Sequence, residues 1–456
     1  MKLSTANEVH VDQNATAGNL ATQSIQLKLN RISWALLCSL PLMTTTVQAS
    51  PWLEARDPFL RADLVRLSDA GQLSAPVNNY PLRWSTIGDD LGRVEHSQDA
   101  PGILRASRHV NYALNTARYG RGNRSFHALY NSEQPSDIGF GQFNRDQWGT
   151  AASYEHLANS FAFRLSTGYS KYNGEKDFTW QDSYLSLNSG RWLFSFGSLN
   201  RWWGQGWQHN LILGSSAQSV PELSVSYMGN NRLLGGWSIE ALVGSPDQAV
   251  FDHHSAIRLV AKPQQWVEFG ITYQTWFDGS KVSGSSHQLA LDGRLSLPEL
   301  AGMHHGLYSE LASTRNSGEL GAYLIGWSGQ FDFALHSWRL VLEKLNSTDA
   351  KQSQIGFHNG TQWPQNSYPS SHKQVPRNSY PIDESLSAAL YLQLENDHNL
   401  SLVYKDSMYN NDQLISTDVT YRLPALAGMV HLGIGYSNWD STGKQTNLWT
   451  GYEFRF

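Results

Sequence analysis

From about Arg121 to the last residue, apolar and polar positions alternate with a period of two. Between Trp266 and Phe277, the residues Val267, Phe269, Ile271, Tyr273, Thr275 and Phe277 share one face. Trp266, Glu268, Gly270, Thr272, Gln274 and Trp276 share the other. Val430, Leu432, Ile434 and Tyr436 alternate in the same way with His431, Gly433, Gly435 and Ser437, and Ala388, Leu390, Leu392 and Leu394 with Ala389, Tyr391, Gln393 and Glu395. Successive side chains of a strand point to opposite faces, so each stretch is a ribbon with one greasy side. Segments of about ten residues with this pattern are the signature of a transmembrane β-barrel. A β-sandwich alternates too, but its turns need not alternate short and long. The final stretch puts Leu448, Thr450, Tyr452, Phe454 and Phe456 on one face. An open apolar edge invites aggregation and a closed barrel has none, so this strand is predicted to pair with the first.

Counting strands backward from the last, whose end is periplasmic, sorts the turns into two sets. Pro424–Ala427, Asn396–Asn399, Gly329–Asp332, Pro298–Gly302, Pro263–Gln265, Gly229–Arg232, Asn188–Gly190 and Ala158–Ser160 fall on the periplasmic side, and all are short. The connections around Ser437–Asn447 and Asp406–Gln413, and the much longer Ser347–Glu384, fall outside. The tally is about 18 antiparallel strands, an even number as bacterial barrels require. Residues 119–456 are therefore expected to form the barrel.

Residues 50–118 follow a helical period instead. Asp57 can cap a helix whose first position is Pro58, with Leu60, Leu64 and Leu67 on one face and Gly71 placed to end it. A second start lies at Ser85, and a third helix spans Ile103 to Ala117. These helices are too polar to cross a membrane and are expected to form a small periplasmic bundle packed beneath or inside the barrel mouth. Before them, Lys28 and Arg31 precede the apolar run Ile32–Met43, and Val47-Gln48-Ala49 has the small-residue pattern of a cleavage site. Residues 1–49 are expected to be a signal peptide.

Composition changes this picture little. No apolar run beyond the first 50 residues reaches the ~20 residues of a membrane helix. Barrel strands average out in hydropathy, so that observation does not exclude a membrane protein. A formal net charge of −5 gives no reason to expect nucleic acid as a partner. The only cysteine, Cys38, excludes a disulfide within the chain. The 17 Trp, 20 Tyr and 17 Phe suit interfacial girdles and surfaces that stack on sugar rings alike.

No catalytic constellation is legible: there is no His-Glu-x-x-His, no Gly-x-Ser-x-Gly and no phosphate-cradling loop, so no enzyme and no cofactor are expected. The pairs His253-His254 and His304-His305 point to opposite faces of a strand, which argues against a shared metal ion. Glu240, Glu268, Glu310, Glu395, Arg258, Lys405, Asp418 and Arg422 are expected to line the lumen. Two stretches are candidates for binding glycan. One is Arg201-Trp202-Trp203-Gly204-Gln205-Gly206-Trp207, between the fifth and sixth strands, whose flat rings could pack on a sugar while Arg201 and Gln205 bond hydroxyls. The competing reading is a constriction loop packed against the inner wall. The other is the long Ser347–Glu384 connection, where His358, Trp363, Tyr368, His372, Arg377 and Tyr380 are interleaved with amides and hydroxyls. Its charges balance, which suits neutral or weakly charged glycan, and the competing reading is a solvated loop.

Asp57-Pro58-x-Leu60-Arg61-x-Asp63, Leu67-x-Asp69-Ala70-Gly71, Tyr80-Pro81-Leu82-x-Trp84, and above all Arg201-Trp202-Trp203-Gly204-x-Gly206-Trp207 with Leu211-Ile212-Leu213 and Pro221-x-Leu223, resemble the capsule-assembly Wzi family of outer-membrane proteins. The resemblance runs from about Pro51 to the end. It implies an 18-stranded barrel with a helical bundle at its periplasmic end, and a lectin-like role holding capsular polysaccharide. The stretch Gly356–Tyr380 keeps aromatics and histidines but lacks the family's Gly-Tyr-Arg pattern, so the resemblance does not carry the identity of the polymer. The expectation is a monomeric outer-membrane protein that binds capsular polysaccharide or exopolysaccharide and meets outer-membrane lipid. The alternative is a passive, porin-like diffusion channel.

Overall fold

The computed structural model describes residues 51–455 apart from 95–99, 120–122, 134–138, 142–145, 159, 173–174, 215–218, 246–251, 278–284, 315–317, 348–381 and 410–411. Among these residues a closed antiparallel barrel is formed by strands β1 (Arg124–Asn131), β2 (Trp148–Leu157), β3 (Phe161–Tyr172), β4 (Glu175–Thr179 and Tyr184–Ser189), β5 (Trp192–Gly197) and β6 (Glu222–Asn231). It continues through β7 (Gly235–Gly244), β8 (His253–Gln264), β9 (Val267–Phe277), β10 (Ser285–Leu300), β11 (Met303–Ser313) and β12 (Leu320–Phe333). The last six are β13 (His336–Ser347), β14 (Ile382–Gln393), β15 (Asn399–Tyr409), β16 (Asp412–Ala425), β17 (Gly428–Trp439) and β18 (Gly443–Arg455). Each strand pairs with its neighbours in sequence, and β18 closes on β1 from Trp449↔Asn131 to Arg455↔Ser125. The last strand thus has the closing role read from its alternation.

The barrel is built inside out. On β9, Glu268, Gly270, Thr272, Gln274 and Trp276 are buried, whereas Ile271 and Tyr273 are exposed. The same outward set recurs around the wall at Leu165, Ile257, Leu291, Leu307, Ile325, Leu342, Leu402, Leu432 and Leu448. Apolar residues facing out over polar residues facing in is the arrangement a lipid bilayer selects. No helix among the described residues is long and apolar enough to cross a membrane. The strands do the crossing.

Several turns sit later than expected. β12 runs on to Phe333, and its turn is Ala334-Leu335, both at positive φ (50° and 69°), in place of Gly329–Asp332. Alternation does not mark where pairing stops, and a two-residue hairpin can form there without glycine. Likewise β6 extends to Asn231, and strand pairing runs on into the connections expected at 406–413 and 437–447, as far as Tyr409↔Asp412 and Trp439↔Gly443. β4 is broken at 180–183, where Asp182 (φ 64°) turns to meet Arg56 Nη2 at 2.5 Å and Asn200 Nδ2 at 2.9 Å.

Three helices precede the barrel: α1 (Pro58–Asp69), α2 (Trp84–Val94) and α3 (Pro101–Arg118). The α1 start follows its sequence, with Asp57 accepting from the Phe59 N–H at 2.9 Å and Pro58 at the first position. Gly71 (φ 70°) takes the chain out of the helix while its N–H bonds Ser68 O at 3.1 Å. α1 is buried along almost its whole length, charged residues included. It is enclosed by the barrel.

Candidate functional site

The charged positions of α1 each find the wall. Asp57 takes Arg422 of β16 at 3.2 Å, and Arg339 of β13 donates to Ala62 O at 2.8 Å. Asp63 accepts from Gln330 of β12 and Gln393 of β14. Arg66 forms a two-point pair with Asp332 of β12 (3.1 and 2.7 Å), Lys262 of β8 donates to Ser68 Oγ at 2.5 Å, and Asp69 pairs with Arg294 of β10 at 2.5 Å. A buried charge left unpaired is costly, so partners spread around the ring fix the helix in one orientation. The Asp-Pro-x-Leu-Arg-x-Asp motif therefore has a physical meaning: a cap, a first-turn proline and the wiring of a plug.

Asp63 also binds Nδ1 of His109, on α3, at 2.7 Å. Burial pulls the His109 imidazole down, but its hydrogen bond and charge contact with Asp63 outweigh that and raise it to about 9. Asp63 is held below its ordinary range: burial pushes it up, and the bonds from His109, Gln393 and Gln330 overcome this.

Residues 198–214, in the connection between β5 and β6, turn into the barrel. Arg201 binds Glu222 (2.5 Å) and Glu240 (2.6 Å), and Gln205 Nε2 donates to Glu268 of β9 at 3.2 Å. The N–H groups of Gly206 and Leu211 donate to the two oxygens of Glu310 of β11, at 2.8 and 2.9 Å. Those of Trp207, Gln208 and His209 converge on Glu343 of β13, which also accepts from Tyr308. Gln208 reaches Tyr391, and His209 reaches Ser385, both on β14. One loop thus touches the wall from β6 to β14. Two glycines make this approach feasible. Gly204 has φ 145°, and a Cβ there would stand 2.3 Å from Glu310 Oε1; one on Gly206 would stand 2.0 Å from His209 O.

Arg61 joins helix and loop. Its Nη1 and Nη2 donate to Gly206 O (2.8 Å) and Gln205 O (2.9 Å). Its guanidinium lies 4.3 Å from the Phe140 ring centroid and 4.5 Å from that of Trp207, with Trp202 and Tyr80 at 5.7 and 5.8 Å. Phe140 comes from the β1–β2 connection and donates its N–H to Trp207 O at 2.8 Å. Sequence reading missed Phe140. The signal available was its position between Gly139 and Gly141.

Trp202, Trp203 and Trp207 are between 0 and 1% exposed, and Arg201 and Gln205 are also buried. A ring covered on both faces offers nothing to a sugar. The geometry is that of the competing reading, a loop packed against the inner wall. Of the expected lumen-lining residues, Arg258, Glu268, Glu310 and Lys405 are buried inside, and Glu395 lies in the turn 395–397. His254 faces in against Trp276, its neighbour His253 facing the other way, as strand alternation requires. The second glycan candidate, with His358, Trp363, Tyr368, His372, Arg377 and Tyr380, lies outside the described residues, as do residues 1–49.

Arg83, in the short strand before α2, is buried and donates to Arg191 O at 3.0 Å. Burial lowers it to about 10, with Glu240 acting the other way.

These features define a class: a closed barrel of the outer-membrane type, apolar outside and polar inside, whose lumen is crossed by its own helix and an inturned loop. Within it, residues 121–296 match the model of the family described as "Capsule assembly protein Wzi", the family that the sequence motifs resemble. In fold the chain is similar to Wzi of Escherichia coli, described as an outer membrane protein involved in group 1 capsule assembly and a carbohydrate-binding β-barrel. The TM-score is 0.75 at 16% identity, over 89% of this chain and 99% of that one. An uncharacterized 55.8 kDa protein in the cps region of Klebsiella pneumoniae is 23% identical over 244 residues. That match spans 48% of this chain and 45% of the relative, so the chain spans about half the length of the curated relative it matches. OprD of Pseudomonas aeruginosa aligns over 73% of this chain and 94% of its own at 10% identity, with a TM-score of 0.47.

Proposed function

We propose that this protein is a non-enzymatic, lectin-like component of the outer membrane that holds capsular polysaccharide or exopolysaccharide at the cell surface. The observation that carries this reading is the helix and loop lying across the lumen. Helix α1 and residues 198–214 bond wall strands from β6 to β16, with carboxylates holding loop backbone (Gly206 N–H to Glu310 at 2.8 Å), an arrangement that obstructs a pore. With helix and loop lying across the lumen, the long connections are what is left to meet a ligand outside the cell. The aromatics and amides of 348–381 are the chemistry there that suits a glycan. E. coli Wzi, described as carbohydrate-binding, supports the same substrate class.

Deleting the gene and measuring cell-bound against released polysaccharide tests the function. The expected result is a shift of polysaccharide to the medium, restored by the wild-type chain. Replacing Trp363, Tyr368 and Tyr380 together by Ala should reproduce the shift without loss of folded barrel. Full retention of cell-bound polymer in that variant overturns the assignment of the loop. The porin-like alternative predicts steady conductance in planar bilayers, where the proposed reading predicts little current.

A further inference from the structure

Helix α1 and the inturned loop bond the wall from β6 to β16, and the arc formed by β17, β18 and β1 is built differently. On β9 the inward residues from Glu268 to Trp276 are all buried, as are those of β13 from Ser337 to Leu345. On β17 and β18, His431, Gly433, Trp449 and Gly451 face inward yet stay partly exposed, as does Leu129 on β1. A groove therefore runs along this arc, beside the plug.

Its floor is a pair of glycines on β17. Gly433 sits between Thr420 of β16 and Trp449 of β18, and Gly435 between Asp418 and Asn447. The Trp449 indole leans over Gly433, where a Cβ would stand 2.0 Å from its Nε1 and 2.1 Å from its Cε2. The Asp418 carboxylate leans over Gly435 from the other side, its Oδ1 2.6 Å from where a Cβ would be. Strands two apart stand ~10 Å from each other, so an indole and a carboxylate meet over one bare strand. Both side chains are partly exposed. The inward Trp202, Trp203, Trp207 and Trp276 are at most 1% exposed, as packing residues are. Trp449 instead keeps surface in the lumen, and among the described residues its indole has no aromatic or hydrogen-bonding partner. A flat apolar face beside a carboxylate that accepts hydroxyl hydrogens is the chemistry that holds a sugar ring. The carboxylate repels an acidic sugar, which leaves a neutral one.

We propose that this groove binds a neutral hexose unit of the polysaccharide, with its C–H face on Trp449 and its hydroxyls on Asp418. This deepens the proposed function and rests on it only in taking glycan as the ligand. Further out on β17, Trp439 also faces inward and is partly exposed, at the end of the barrel where β13 and β14 lead into 348–381. A chain met at that end is thus led toward the groove.

The probes are the methyl glycosides of glucose, galactose and mannose, with methyl glucuronide as the acidic control. Each is titrated into the full-length protein in a detergent without a sugar headgroup and read by ligand-observed NMR. At least one neutral glycoside should bind, about tenfold more tightly than the glucuronide. Trp449→Ala should weaken that glycoside about tenfold, and Trp449→Phe should keep most of its affinity. Gly433→Ala should act like Trp449→Ala, because the new Cβ displaces the indole. Asp418→Asn should weaken the glycoside about threefold and raise the affinity for the glucuronide. Folding of each variant is read from heat-modifiable gel migration, and if Trp449→Ala does not fold, Asp418→Asn carries the test. No binding of any neutral glycoside overturns the proposal, as does full affinity in Trp449→Ala or a glucuronide that binds as tightly. The Trp363, Tyr368 and Tyr380 triple variant should bind the glycoside normally. Polysaccharide that stays cell-bound after deletion of the gene would sink the proposed function with glycoside binding intact, whereas release without glycoside binding would sink this site alone.

Discussion

Replacing Glu343 by Ala should free the inturned loop while leaving the barrel standing. The Glu343 carboxylate is 1% exposed and accepts from the N–H groups of Trp207, Gln208 (2.9 Å) and His209 (3.2 Å) and from the Tyr308 hydroxyl (2.7 Å). Its removal strands four buried donors at once. Each stranded donor costs about 1–3 kcal/mol, and water admitted to the space of the lost side chain recovers part of that. A net local cost of about 3–4 kcal/mol follows, which multiplies the opening constant of the loop by roughly 10²–10³. The β13 backbone ladder to β14, from Ser337↔Gln393 to Asn346↔Glu384, does not involve this side chain. Heat-modifiable migration should therefore be unchanged.

Hydrogen exchange followed by mass spectrometry reads the loop directly. Peptides covering 205–211 should lose protection by about two to three orders of magnitude, while peptides of β13 and β14 keep theirs. In planar bilayers, the wild type should pass little current and the variant should show brief openings. Glu343→Gln keeps one acceptor oxygen and should fall between the two. Unchanged protection at 205–211 in the Ala variant would refute the reasoning, because Glu310, Arg61 and the packing of Trp203 and Trp207 would then hold the loop without Glu343.

Two further outcomes test other links. His109, raised to about 9 beside a depressed Asp63, stabilises the α1–α3 contact fully below the unfolded value of 6.5, and that contribution is lost as pH rises through about 9. With the His109 side chain 39% exposed, screening limits it to about 1 kcal/mol; a His109→Gln variant should lose the pH dependence of α3 exchange, and an imidazole titrating near 6.5 by NMR would refute the pairing. Ile271, exposed at mid-strand on β9 and flanked outward by Leu259 and Leu291, should cost about 2–4 kcal/mol as Ile271→Arg in a folding titration into lipid vesicles; a cost near zero would mean that this face is not in the hydrocarbon.

How far the sequence carried the fold follows from the range of the interactions. Alternation on β9 is a local property, so its lipid face and lumen face could be read without any partner. The α1 start is local as well: Asp57 and Pro58 do their work within one turn. The Arg201–Trp207 segment is the opposite case. Three Trp and two Gly describe an exposed sugar platform and a buried constriction equally well. The choice between them is made by Glu310 and Glu343, which bond the segment from 104 and 136 residues further along the chain. Both carboxylates occupy inward positions that alternation predicts, yet an inward charge on a barrel strand has no assigned meaning until its partner is known. Arg61 shows the same limit from the other side, since its four aromatic neighbours come from three separate segments, at Tyr80, Phe140 and the Trp202–Trp207 loop. Each plug charge is thus specified only as one half of a pair, and the pairing is set by the barrel ring that holds both halves.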